Sequence, residues 1–172
     1  MEHKWFAVQV VPHREFVISA VLQAKGYELF LPEYSVRSGG IRQIRKVLFP
    51  GYLFCRNDGS AAGRIVTTPG VMRIVGCGNK PSTVPDAEID SIRRIMQSGA
   101  VRYPWTYIPD RSNVEIASGP LAGLRGVVLG SGIRPKLIVS IHLLNRSIAA
   151  ELDCATSLVS VPQPVFVGRQ RQ

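Results

Sequence analysis

The first 103 residues alternate between strand-like and helix-like hydrophobic patterns. An apolar run over 5–10 ends before Pro12 and predicts a first strand. A helix is predicted between His13 and Lys25, because Val17, Val21 and Ala24 recur at helical spacing with Ile18 and Leu22 alongside; Gly26 then stands where a left-handed residue often ends a helix. The further predicted elements are strands over 27–31, 47–55 and 71–76, a hairpin with its tip at Gly39 and Gly40, a short helix over 61–68, and a helix from Asp86 to Gly99.

After residue 112 the pattern changes to short β-branched runs separated by glycine- and proline-rich turns. Five such runs predict strands over 114–116, 127–129, 137–141, 148–152 and 158–161. Five short strands in about fifty residues favour a small closed barrel, because closure hides strand edges. We therefore expect an α+β chain with an amino-terminal domain over 1–103, a linker over 104–112, a barrel over 113–161 and a carboxy-terminal tail over 162–172.

The linker prediction is based on its two prolines, Pro104 and Pro109, and on the lack of an amphipathic period. Tyr103, Trp105 and Tyr107 place aromatic rings along this segment. We expect these rings to hold the two domains against each other.

Positive charge is the most informative feature of the composition. The 172 residues contain 21 Lys and Arg against 12 Asp and Glu, for a net charge of +9. This balance favours a polyanionic partner such as nucleic acid, although ordinary solubility charge is the alternative.

Several functional classes are excluded by what the sequence lacks. The longest uncharged run, 154–168, is too short to span a membrane and contains two prolines, and the first residues do not form a secretory signal, so we expect a cytoplasmic protein without membrane contact. The three cysteines are far apart, which argues against zinc. No phosphate-binding loop or nucleophile motif is present, so we expect a non-enzyme with no catalytic residue, metal or cofactor.

An aromatic segment over 48–54 is the sharpest candidate for a partner site. If one face of this strand lies on the core, the other presents Tyr52 and Phe54 outward, and exposed apolar patches mark partner surfaces. The alternative is a strand that is buried on both faces. Pro50 cannot donate a ladder hydrogen bond, so we expect an edge or a bulge there.

A basic stretch without any acid extends from Tyr34 to Asn57. Its cations either contact phosphates or form a solvated hairpin tip. The residues assigned to nucleic-acid proximity, two of them at the start of the first helix, are His13, Arg14, Arg37, Arg42, Arg45 and Lys46.

A second specific segment lies at the start of the predicted barrel. Three glycines and a proline shape a tight loop that leads into a strand, which is also an ordinary turn in many barrels. The residues assigned to a partner-binding loop are Gly119, Pro120, Leu121, Gly123, Arg125 and Gly126.

Taken in order, these motifs resemble the NusG family of bacterial transcription elongation factors over residues 4–161. The resemblance lies in the runs 5–8 (Trp-Phe-Ala-Val), 49–52 (Phe-Pro-Gly-Tyr), 69–71 (Pro-Gly-Val), 84–85 (Val-Pro) and 119–128. It implies an NGN domain, built as an antiparallel sheet flanked by helices, followed by a KOW domain, which is an SH3-like β-barrel.

The resemblance also implies a mechanism and partners. The NGN domain would bind the clamp helices of the largest RNA polymerase subunit, suppress pausing and lie near the non-template DNA, and the KOW domain would recruit Rho or a small-subunit ribosomal protein. We expect a monomer. The implied polymerase-binding residues are Trp5, Phe6, Phe49, Pro50, Gly51 and Tyr52.

Two further possibilities follow. The runs 5–7, 12–15 and 25–32 resemble specialised paralogues of the RfaH and UpxY type, although the positions of the His-Thr-Thr run of RfaH are here Ala61, Ala62 and Gly63. The alternative function is that of a ribosome-associated KOW-type RNA-binding protein, which would not need an α/β domain with an apolar outer strand.

Overall fold

The structure is a computed structural model that describes residues 3–38, 42–58, 62–77, 80–108, 113–130, 134–152 and 158–160. The predicted hairpin tip and the predicted tail lie outside these residues. The strands are β1 (Lys4–Val10), β2 (Glu28–Phe30), β3 (Glu33–Ser38), β4 (Arg42–Val47), β5 (Tyr52–Asn57), β6 (Val71–Ile74), β7 (Gly76–Cys77), β8 (Lys80–Pro81), β9 (Thr83–Val84), β10 (Arg102–Thr106), β11 (Asn113–Ile116), β12 (Arg125–Leu129), β13 (Lys136–Ile141), β14 (Arg146–Glu151) and β15 (Leu158–Ser160). The helices are α1 (Glu15–Ala24), α2 (Ala62–Val66) and α3 (Asp86–Gln97), with a 3₁₀ turn at His142–Leu144.

The first sheet is antiparallel and has β1 at its centre. Its strand order is β2-β5-β1-β6, and β9 pairs with the same side of β1 as β6 does. Because side chains alternate along a strand, Val8 and Val10 lie on the α1 side of the sheet, while Trp5 and Ala7 lie on the α3 side. Both faces of β1 are therefore covered.

The first helix lies where the sequence predicts it. It ends at Ala24, and Gly26 has a φ of +86°, as expected for a left-handed residue at a helix end. Ile18 and Leu22 face the core, whereas Val17 and Val21 are exposed. The spacing alone left the buried face open, because two adjacent apolar stripes fit the same helical period.

The second sheet contains all five strands predicted after residue 112, and one that was not predicted. Its order is β10-β14-β13-β12-β11-β15. The prediction of a linker beginning at residue 104 is wrong for 104–106, because β10 pairs with β14 in a register that sets Pro104 opposite Ile148. Pro104 is tolerated because β10 is an edge strand, where a missing N–H leaves no neighbour unpaired.

Closure of this sheet into a barrel is not confirmed. Among the described residues, β10 and β15 end an open path of six strands and do not pair with each other. The described part of the chain is thus a mixed α/β protein with two large sheets, two two-stranded sheets (β3-β4 and β7-β8) and the helices given above.

One hydrophobic core joins the two sheets through α3. It includes Trp5, Phe49 and Phe54 from the first sheet region, three isoleucines of α3, and Leu137, Val139 and Ile148 from the second sheet. A separate cluster lies under α1 on the opposite side of the first sheet. The second sheet therefore packs on the α3 side, and α1 lies away from it.

The described residues contain no cluster of three or more His, Cys, Asp or Glu side chains that could hold a metal ion. Cys55 is buried, and burial raises the pKa of its thiol to about 11, while Cys77 is exposed. Within the described part of the chain, no helix is long and apolar enough to cross a membrane.

Candidate functional site

The Phe-Pro-Gly-Tyr segment forms a tight turn between β4 and β5. Tyr52 N–H donates to the Phe49 carbonyl at 3.0 Å, and Gly51 has a φ of +81°. Proline followed by a glycine with positive φ is the signature of a type II turn. The prediction of one continuous strand over 47–55 with a bulge or edge at Pro50 is therefore wrong, because Pro50 and Gly51 reverse the chain instead.

Most residues of the implied polymerase-binding set were expected to be exposed, and this expectation is wrong for its three buried aromatic members. Trp5, Phe6 and Phe49 are 1%, 7% and 1% exposed, respectively. Phe49 packs edge-on against Phe54 with ring centroids 5.6 Å apart. Of the two alternatives for this strand, burial on both faces is the one observed, because α1 covers one face of the sheet while α3 and the second sheet cover the other.

The implied polymerase-binding set also includes Pro50 and Tyr52, and Tyr52 packs against the edge of the shared core. Pro50 is exposed, and Tyr52 is half-buried. The guanidinium carbon of Arg146, on β14, lies 5.6 Å from the centre of the Tyr52 ring. A charged side chain of the second sheet therefore contacts Tyr52, a residue of the predicted polymerase-binding set.

Gly51 is buried and serves the fold. Its N–H donates to Glu15 Oε1 at 2.8 Å, and its carbonyl accepts from Val10 N–H at 2.9 Å. Glu15 is itself only 3% exposed, so this buried carboxylate ties the start of α1 to the turn.

Trp5 is buried, and cationic side chains pack against its ring. The Arg93 guanidinium lies 4.9 Å from the Trp5 ring centre and 5.1 Å from that of Phe30. Glu28 lies 3.7 Å from Arg93 and 3.8 Å from Arg56. This arrangement fixes the α3 side of the first sheet at its β2 edge.

The two sheets are further joined by polar contacts along α3. Glu88 Oε1 lies 2.9 Å from His142 Nδ1, and the backbone N–H of His142 donates to Glu88 Oε2 at 3.3 Å. The Arg94 guanidinium donates to the carbonyl of Ala122. Glu88 and His142 also line a cavity of about 170 Å³, together with Arg125.

The predicted partner-binding loop lies against α3. Leu121 is buried, and Pro120 lies beside Arg94 at the edge of a second cavity. Gly123 N–H donates to the Ile116 carbonyl, which closes the loop. Arg125 is exposed and pairs with Glu115 at 2.9 Å. Of the six predicted residues, Leu121 and Gly126 are buried and serve packing, whereas the other four are exposed.

The basic residues of the hairpin are divided between its two faces. The β3–β4 register pairs Ser35 with Arg45 and Arg37 with Gln43, which puts Arg37 and Arg45 on one face. Arg42 and Lys46 alternate with Arg45 along β4 and so lie on the other face. The predicted set therefore does not form one patch.

The start of α1 carries a strained and exposed residue. His13 has a φ of +67°, a left-handed conformation that is uncommon for residues other than glycine. His13 and Arg14 are both exposed, as a nucleic-acid contact would require.

Several functional candidates were missed by sequence reasoning. Arg146, His142 and Glu88 join the two sheets, yet nothing in the sequence pairs Arg146 with Tyr52 or His142 with Glu88 across such long separations. The outward face of α1 was also missed, although the apolar residues at 16, 17 and 21 were a detectable signal.

Among the described residues, the candidate sites are a buried turn, ion pairs and exposed basic side chains on a two-sheet α/β fold. Residues 3–93 match the family described as "Transcription termination factor nusG". The chain therefore belongs to the NusG family. This membership gives it a general role in transcription and places it among transcription factors rather than enzymes.

The relatives are similar over most of the chain. The transcription termination/antitermination protein NusG of Thermus thermophilus is 29% identical over 177 aligned positions, covering 89% of this chain and 96% of the relative. The protein of the same name from Campylobacter jejuni is 25% identical and covers 87% and 93%. A solved structure described as "Domain interaction in Thermotoga maritima NusG" has a TM-score of 0.55 and 25% identity, and covers 89% and 94%.

Proposed function

We propose that the chain is a cytoplasmic transcription elongation and antitermination factor that binds the clamp helices of RNA polymerase through the turn around Tyr52. The observation that carries this proposal is the position of Tyr52 at the boundary between the two sheets, half-buried under Arg146. A half-covered aromatic beside a buried aromatic core is the type of residue that anchors an interface once it is uncovered.

Binding of the clamp helices requires the second sheet to leave the α3 side. In the docked arrangement, Phe49 and Trp5 are buried in the core that both sheets share. We propose that the docked form is closed, and that release separates an amino-terminal part, ending near residue 101, from a carboxy-terminal part that begins with β10. The released carboxy-terminal part, with the loop around Leu121, would then recruit Rho or a small-subunit ribosomal protein and close into the SH3-like barrel.

The exposed cations would lie near nucleic acid in the bound state. His13 and Arg14 at the start of α1, with the basic hairpin, form the part of the amino-terminal domain that favours phosphates of the non-template strand. The ribosome-associated alternative is less well supported, because the family match covers the amino-terminal domain that such a protein does not need.

The test is binding of the full-length chain to an isolated clamp-helix fragment, measured by calorimetry. Tyr52→Ala should weaken binding by about 1–3 kcal/mol, as truncation of an interface anchor does. Phe49→Ala is unsuitable, because removal of a buried phenyl ring costs roughly 3–5 kcal/mol of stability. Tyr27→Ala, at a half-buried tyrosine that packs on the opposite side of the first sheet from the shared core, is the matched control and should leave the affinity unchanged.

The same measurement in a released background makes the test decisive. Arg146→Ala removes the cation that covers Tyr52 and should raise the affinity for the fragment. If Tyr52→Ala leaves the affinity unchanged both alone and combined with Arg146→Ala, the assigned surface is wrong.

A further inference from the structure

The outer face of α1 is apolar. The helix turns Glu15, Ile18, Ser19 and Leu22 inward. The outward positions are Phe16, Val17, Ala20, Val21, Gln23 and Ala24. One of these six is polar, and the carboxylate of the helix is buried. A surface helix normally carries its charged and polar residues on the outer face, so α1 has the inverse arrangement.

These side chains form a continuous surface. Phe16, Val17 and Val21 are 37%, 65% and 40% exposed. Val17 and Val21 are neighbours on the helix surface, as are Phe16 and Ala20, because residues four apart lie one above the other. Large apolar side chains that are contiguous and exposed mark an interaction site.

A groove lies beside this surface, between α1, the β3–β4 hairpin and the end of α3. Its volume is about 410 Å³, and its apolar lining comes from Phe16, Leu31 and Met96. Arg45 lies over the Phe16 ring at 5.1 Å and is held there by an ion pair with Glu33 at 2.6 Å. One wall of the groove is therefore fixed in place.

The surroundings of this surface are basic. Arg14 precedes α1, Lys25 follows it, and the hairpin presents Arg37 and Arg45 on the face toward the helix. Among the residues that line the groove, Glu33 is the one acid, and it pairs with Arg45. That pair is neutral as a whole, so the positive charge that a partner on the apolar face would meet comes from Arg14, Lys25 and Arg37.

We propose that α1 and the adjoining groove, together called the α1 surface, bind an amphipathic α-helix of a partner protein that carries carboxylates beside its apolar face. The small residues Ala20 and Ala24 leave space beside the ridge of Val17 and Val21, which suits helix-on-helix packing. A nucleic-acid strand fits less well, since phosphates would meet the cations but leave the valines uncovered.

The outer face of α1 lies away from the contact between the two sheets, whereas the groove reaches Met96, which packs against the edge of the shared core. The buried side of α1 packs on Val8, Val10 and Leu53, in the cluster on the opposite side of the first sheet from the shared core. The α1 surface is thus open in the docked arrangement. It would bind its partner whether or not the second sheet is released.

The test uses two designed helical peptides of roughly 18 residues, about five turns, with identical leucine faces. One has glutamate on its polar face and the other has lysine. Fluorescence anisotropy with the full-length chain should show that the acidic peptide binds at least tenfold more tightly than the basic one. Val21→Glu should reduce binding of the acidic peptide at least tenfold, and amide shifts in the unmodified chain should change along α1.

Val101→Glu is the matched control, because Val101 is 59% exposed on a different segment. It should leave binding unchanged, and both variants should keep the unfolding temperature of the parent chain because both sites are exposed. The proposal is overturned if the acidic peptide does not bind, if both peptides bind equally, or if Val101→Glu has the effect of Val21→Glu. It is also overturned if Val21→Glu abolishes self-association of the chain or binding to a single-stranded DNA oligonucleotide, which would identify a second copy or nucleic acid as the occupant.

Discussion

Gly126, on β12, lies close against the backbone of β13. A methyl group added at this position would have its carbon 2.3 Å from the Ile138 carbonyl oxygen and 3.0 Å from Leu137 Cδ1. The first of these neighbours is backbone and cannot rotate away. Glycine at this position of the loop motif therefore has a packing reason in addition to any role in partner binding.

Gly126→Ala should destabilise the chain by about 1–3 kcal/mol, the cost typical of overpacking a buried site. Urea unfolding followed by circular dichroism measures the change in free energy. The matched control is Gly63→Ala in α2, where an added methyl group meets nothing within 4 Å. That control should stabilise the chain by roughly 0.5–1 kcal/mol, because alanine is the better helix former. Equal destabilisation by both variants would contradict the close approach at Gly126.

At the scale of elements, α1 is anchored to the β4–β5 turn by one buried hydrogen bond. Glu15 Oε1 accepts the Gly51 N–H at 2.8 Å, and both residues are buried. Removing the acceptor leaves a buried N–H without its partner, and the desolvation of such a group costs about 1–3 kcal/mol.

Glu15→Ala should therefore lower the free energy of unfolding by about 1–3 kcal/mol. Glu15→Gln keeps a carbonyl oxygen at the same position and should cost less. Thermal unfolding of the three proteins under identical conditions ranks them. A glutamine variant as unstable as the alanine variant would show that the hydrogen bond to Gly51 is not what stabilises this junction.

The strands and helices were largely predictable because they follow from local patterns. The five β-branched runs after residue 112 all became strands, and α3 runs from Asp86 to Gln97 as the acidic start and Gly99 indicated. The segment β10 was missed, because Pro104 locally indicates a linker and only its edge position in the sheet makes it acceptable.

The candidate site was less predictable, because burial depends on what covers a strand. Pattern alone left two possibilities for the segment 48–54, one bare face or two buried faces. Both faces are buried because α3 and the second sheet cover the face that α1 leaves open. Their contacts with the first sheet join residues that are far apart in the sequence. Which face of α1 is buried was ambiguous for the same reason, since either of two apolar stripes on the helix could have packed on the core.

At the scale of the whole molecule, a shared core and a few polar contacts hold the two sheets together. The shared core contains apolar residues from both sheets, and the polar contacts include Glu88 with His142 and Arg146 with Tyr52. The polar pairs are partly exposed, so each contributes modestly and their combined removal is the informative change.

The unmodified chain should tumble as one body, with a single rotational correlation time from amide relaxation. The Glu88→Ala/Arg146→Ala double variant should show faster and different correlation times for its two parts. The control is Arg134→Ala, which breaks an ion pair with Glu151 inside the second sheet and should leave one correlation time. Two independent correlation times in the unmodified chain would contradict docking.

Membership of β10 in the second sheet changes how far the two parts can separate. Residues 98–101 alone connect the end of α3 to β10. Four extended residues reach at most about 14 Å. A freed carboxy-terminal part thus stays within a small volume around α3, at a high effective concentration for return. Under the proposed release, a ligand would therefore compete with rapid intramolecular recapture, so the fraction of open molecules that it captures depends on how quickly it arrives.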